Sequence, residues 1–138
     1  MKKLFCIALA CLGLVGMVNA YALDVRLLFN NNTDQILHPE GTITYDKDGE
    51  THWNEPIQPP MTYIPAHAQE APADELRTDL GDYYLEYFEL FDNNGKFVTN
   101  CLESYVAVTK QNAVVTFTLK QIGKKNPRYV CNYKVQYI

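Results

Sequence analysis

The chain has 138 residues, 47% of them hydrophobic, and 16 acidic against 12 basic side chains give a net charge of −4. That length predicts one domain with a real core, and the hydrophobic content excludes wholesale disorder. The acidic balance argues against nucleic-acid binding, and past the N-terminus no apolar run approaches the roughly 20 residues of a membrane-spanning helix.

The N-terminus has the order of a secretory signal peptide. Lys2 and Lys3 precede an apolar stretch from Leu4 to Val18, and small residues stand at Val18-Asn19-Ala20 and Ala20-Tyr21-Ala22. Residues 1–22 are therefore expected to be a leader cleaved after Ala20 or Ala22, which leaves 23–138 as a secreted or periplasmic domain. The apolar run is short for a retained anchor, and Asp24 and Arg26 follow it at once. Cys11 has too little apolar sequence before it, and Ala rather than Leu at Ala8, to resemble a lipidation site.

Cleavage removes Cys6 and Cys11, so Cys101 and Cys131 are the two cysteines of the mature chain. In an oxidising compartment two such cysteines are expected to pair as a structural disulfide. Cleavage also moves the balance to ten bases against sixteen acids, unevenly placed: all sixteen acids fall within 23–103, and 104–138 holds six bases and no acid. The basic segment is rich in β-branched and aromatic residues, so it is expected to form sheet that pairs with the acidic part.

Period-two alternation dominates the remainder, and no window carries a sustained helical period. The expected strands begin with Asp24 to Phe29, closed by the turn chemistry of Asn30-Asn31-Asn32-Thr33-Asp34. Thr42 to Tyr45 and Glu50 to Trp53 flank Asp46-Lys47-Asp48-Gly49 as one hairpin. The segment 54–73 contains five prolines and is expected to be irregular, with a short edge strand at Met61 to Ile64. Tyr83 to Phe91 and Lys96 to Asn100 flank Asp92-Asn93-Asn94-Gly95 as a second hairpin, and strict alternation sets Glu86 and Glu89 on opposite faces. Tyr105 to Thr109, Ala113 to Gln121 and Tyr129 to Tyr137 complete the set, with Cys131 on the tyrosine face of the last strand, toward the core.

Seven or eight short strands with frequent turns predict an all-β, single-domain antiparallel β-sandwich with one disulfide. Asp79-Leu80-Gly81-Asp82-Tyr83 resembles the tyrosine corner of immunoglobulin-like domains, which implies that an immunoglobulin-like architecture is possible. The resemblance covers those five residues, and Leu85 stands where an immunoglobulin cysteine would be.

Signatures of catalysis are sparse. Ser104 is the sole serine and lies in no nucleophile elbow, and the mature cysteines are expected to be oxidised. Asp46-Lys47-Asp48-Gly49-Glu50 is nearer to a hairpin turn than to a calcium loop, and His38, His52 and His67 lack metal-ligand spacing, so neither metal nor cofactor is expected. Trp53, the sole tryptophan, adjoins His52 and the proline-rich segment and is the best candidate for an exposed contact. Tyr63 extends that aromatic set, and Lys124, Lys125 and Arg128 form a basic hairpin tip suited to an anionic partner. The expected function is a non-catalytic binding module that recognises a protein or glycan through loops and one sheet face. The alternatives are a small secreted hydrolase acting through paired carboxylates and a structural envelope protein.

Overall fold

The computed structural model describes residues 23–74, 77–79, 82–109 and 111–138. The expected leader and its cleavage sites lie outside the described residues, as do Leu80 and Gly81 of the segment resembling a tyrosine corner. The described chain is all-β: β1 (Leu23–Asn32), β2 (Leu37–Lys47), β3 (Glu50–Pro56), β4 (Ala71–Pro72), β5 (Arg77–Asp79), β6 (Asp82–Asp92), β7 (Phe97–Asn100), β8 (Val106–Thr109), β9 (Ala113–Ile122) and β10 (Arg128–Tyr137).

Two sheets pack face to face. The first runs β10-β9-β1-β4, with β5 also pairing β1, and the second runs β3-β2-β6-β7, with β8 also pairing β6. Each sheet has one interrupted edge, since β4 and β5 line one side of β1 and β7 and β8 line one side of β6. Short, broken edges withhold the continuous template on which another strand could add. All strand pairs are antiparallel except β1 with β9, whose parallel ladder joins the first long strand to the penultimate one.

The core lies between the sheets. Val25, Leu27 and Phe29 from β1 and Val115, Phe117 and Leu119 from β9 meet Tyr83, Leu85, Phe88 and Leu90 from β6. Phe88 stacks on Phe117 at 4.2 Å between ring centroids and on Phe29 at 6.0 Å, so one ring of the second sheet seats against two of the first. Burying such a side chain is worth roughly 1.5–3 kcal/mol relative to leaving it in water.

The turns follow their residues. Asp48 and Gly49 both adopt positive φ between the paired Lys47 and Glu50, the two-residue hairpin loop that Asp-Gly favours. At the second hairpin the Asp92 side chain accepts from the backbone N–H groups of Asn94 and Lys96, and Gly95 takes the positive φ. The strand expected at Met61 to Ile64 shrinks to a single bridge between Leu37 and Ile64, because prolines on both sides remove ladder donors.

The basic segment 104–138 does pair with the acidic part, through β9 with β1 and β8 with β6, yet β9 and β10 lie on the other sheet from the acid-bearing β2, β3 and β6, so the two charge signs largely separate. One further expectation changes. Glu86 and Glu89 share the outer face of β6, because a β-bulge between them resets the alternation. Thr42 pairs with Tyr87 and Ile43 with Leu85, which leaves Glu86 as the extra residue. Tyr83 and Leu85 face inward before the bulge, and Phe88 and Leu90 face inward after it.

The disulfide joins Cys101 to Cys131, with Cα atoms 4.9 Å apart. Cys101 sits in the interruption between β7 and β8, where its N–H donates to the Phe88 carbonyl at 2.8 Å. Cys131 lies on the outermost strand of the other sheet, so the bond ties the two sheets along one side. Cys131, Tyr129 and Val135 pack against the core, whereas Tyr133 and Tyr137 on the same face remain exposed because β10 is an edge strand. At a sequence separation of 30, the cysteines close a loop worth roughly 3–4 kcal/mol on the chain-entropy account. Cys131→Ser is expected to lower unfolding free energy by about 2–5 kcal/mol in denaturant titration, and a chain of residues 23–138 should titrate no free thiol. Two reactive thiols in residues 23–138 would contradict the pairing.

Candidate functional site

The outer face of the second sheet forms an open trough of about 820 Å³ at the end carrying the β2–β3 hairpin. Its shape originates in two bulges around Thr44. One is the Glu86 bulge on β6. The other lies on β3, where Ile43 pairs with Glu55 and Tyr45 with His52, so that three steps along β3 match two along β2. Asn54 absorbs the surplus with a φ of 51°, a left-handed conformation that Asn tolerates better than most residues.

Thr44 connects the two irregularities. Its hydroxyl accepts from the Asn54 backbone N–H at 3.1 Å and donates to Glu86 Oε1 at 2.8 Å. With its nitrogen toward Glu86, the Asn54 side-chain amide donates to both carboxylate oxygens at 2.8 and 2.7 Å. Glu86 is thus held by neutral donors on both flanking residues.

Two more carboxylates line the trough. Asp46 accepts from the Thr51 hydroxyl at 2.8 Å, and the Asp82 N–H points to its other oxygen at 3.4 Å. Asp82 Oδ2 accepts from the Tyr84 hydroxyl at 3.1 Å, while Oδ1 is closed to solvent with no hydrogen-bond partner among the described residues. Above these acids stand aromatic rings. Tyr84 meets Tyr105 edge to face with centroids 6.1 Å apart, and Tyr105 projects from the interruption between β7 and β8. Trp53 closes the β3 side and is 72% exposed. Among the described residues that line the trough there is no Lys, Arg or His.

Of the residues singled out from sequence, Trp53 is the one that lines this trough. His52, its neighbour, points the other way and stacks on Tyr45 at 4.9 Å, with Glu55 3.9 Å from its Nδ1. Tyr63 lies beside His38 at 6.4 Å, over the irregular segment. Lys124, Lys125 and Arg128 are exposed on the β9–β10 hairpin of the other sheet, where Lys124 borders a separate depression with Asp34 and His67. The three histidines occupy separate places: His38 bonds the Thr62 carbonyl and Asn93, and His67 bonds Asp34 at 2.6 Å. Among the described residues no group of three or more His, Cys, Asp or Glu is placed to hold a metal ion.

Sequence reasoning did not single out Thr44, Asn54, Asp46, Asp82, Glu86 or Tyr105 for this face. Asp46 was visible as a turn residue, but Glu86 and Asn54 owe their directions to bulges that no period announces. The fold and face together define an all-β, two-sheet protein with an acidic, aromatic-lined recess on one sheet. No protein-family model matches the chain, and no curated protein matches it closely enough to count as a relative.

Acid crowding has a measurable consequence at Tyr84. Its hydrogen bond to Asp82 and the Asp82 charge, with smaller contributions from burial, Asp46 and Tyr105, raise the phenol above its ordinary value of 10.0. A folded-state value above the unfolded one contributes stability that is present below the unfolded value and is lost as pH rises through the folded one. In a tyrosinate absorbance titration, Asp82→Asn is expected to bring the Tyr84 midpoint down toward 10.0. An unchanged profile would show that Asp82 does not govern this phenol.

Proposed function

We propose that this protein is an exported, non-catalytic recognition module that binds glycan on the outer face of its second sheet. The carrying observation is the trough itself, where exposed rings of Trp53 and Tyr105 stand beside carboxylates fixed on strands. Sugar rings present C–H faces that rest on aromatic surfaces, and their hydroxyls donate to carboxylates, so rings and acceptors set side by side suit a polyol. Glu86 is oriented before any ligand arrives, because Thr44 and Asn54 already hold it.

Export rests on the leader pattern at residues 1–22 and is compatible with the disulfide. Among the described residues no helix is long and apolar enough to cross a membrane.

Trp53 is the only tryptophan, so its fluorescence reports directly on this face. Titrating the mature protein with a panel of soluble oligosaccharides is expected to give a saturable change in emission with at least one of them. Trp53→Ala should weaken that binding, followed by calorimetry, by about tenfold, in line with the roughly 0.5–2 kcal/mol of a ring contact. Glycan binding that leaves both Trp53 emission and the Trp53→Ala affinity unchanged would place recognition elsewhere, and turnover of a bound oligosaccharide would replace the binding reading with an enzymatic one.

A further inference from the structure

Resting on that reading, we infer that the glycan taken by this face carries free amino groups, a glucosamine-type chain in its ammonium form. The recess brings Asp46, Asp82 and Glu86 together under Trp53, Tyr84 and Tyr105, and none of the described lining residues is basic. The neighbours that hold Asp46, Asp82 and Glu86 are hydroxyls and amides, which orient a carboxylate without neutralising it. A neutral sugar would leave the three charges uncompensated, whereas an ammonium offsets them and donates hydrogen bonds to them.

The rings favour the same ligand. The electron-rich faces of Trp and Tyr attract cations, and an ammonium borne on a pyranose can use the ring faces while the sugar's C–H surface stacks beside it. Long-range charge acts in the same direction, because the long basic strands β9 and β10 belong to the opposite sheet. A basic peptide is less well suited. The free edge alongside the recess is β3, which Asn54 bends out of regular pairing and Pro56 ends, so it does not offer the continuous ladder that holds an added strand. What the face does offer is side chains on a platform.

The test compares glucosamine tetramer with its fully N-acetylated counterpart by calorimetry on the mature protein, with an oligolysine peptide as a third arm. The amine form is expected to bind at least tenfold tighter than the acetylated form and to weaken as salt is raised. Asp46→Asn and Glu86→Gln, each checked for a native unfolding transition, should shrink that ratio toward one. Equal binding of the two sugars, or a ratio that neither variant reduces, would overturn the amine preference while leaving the glycan reading in place. Failure of both sugars, with other oligosaccharides also silent, would remove the glycan reading itself. Oligolysine binding tighter than the glucosamine tetramer would replace the sugar with a basic peptide.

Discussion

One hydroxyl, that of Thr44, holds the outer face of the second sheet in shape. It lies between two bulges on neighbouring strands, accepting from Asn54 on one side and donating to Glu86 on the other. A bulge leaves a residue outside the ladder, and a residue outside the ladder needs another partner for its polar groups. The Thr44 hydroxyl takes the Asn54 backbone N–H, and Thr44 and Asn54 together hold the Glu86 carboxylate, which faces outward with a defined direction. Thr44 is itself nearly buried, which keeps water from competing for the same bonds.

The Glu86 bulge also serves the core. Without the extra residue, the phase set by Tyr83 and Leu85 would carry Phe88 and Leu90 to the solvent side of β6. With it, Phe88 reaches Phe29 and Phe117, and the two sheets close around three stacked rings. Gly41, one residue before the shifted pair, admits the Tyr87 carbonyl so closely that an added Cβ would collide with it. Packing and the recess are therefore two results of one change of register, made where β2 and β6 meet.

Sequence patterns revealed much of this fold and little of the face. Asp48-Gly49 and Asp92 through Gly95 announced their hairpins because positive φ and Asx bonding demand those residues. Cys101 and Cys131 followed from counting, and the alternation along β9 and β10 was plain. β4 and β5 were too short to show a period, and β1 pairs with β9 across most of the chain, a distance no local pattern encodes. Glu86 and Asn54 were hidden for a different reason. Strict alternation is the rule that identifies strands, and these residues matter because they break it. Trp53 was legible as an outlier, since a lone large ring beside prolines and charges has no obvious place in a core, and it is exposed on the trough.

The two sheets differ in charge and in what their surfaces carry. The first carries the long basic strands and one end of the disulfide; the second carries the acids and the aromatic recess on its outer face. Recognition on the second sheet is the central claim, and nuclear magnetic resonance mapping tests it at the level of residues. With glucosamine tetramer added, the account predicts shifts in the Trp53 indole, the Asn54 side-chain amide and the backbone amides of Tyr84, Glu86 and Tyr105, with 124–128 unmoved. Shifts confined to Lys124, Lys125 and Arg128, with Trp53 and Asn54 silent, would contradict it.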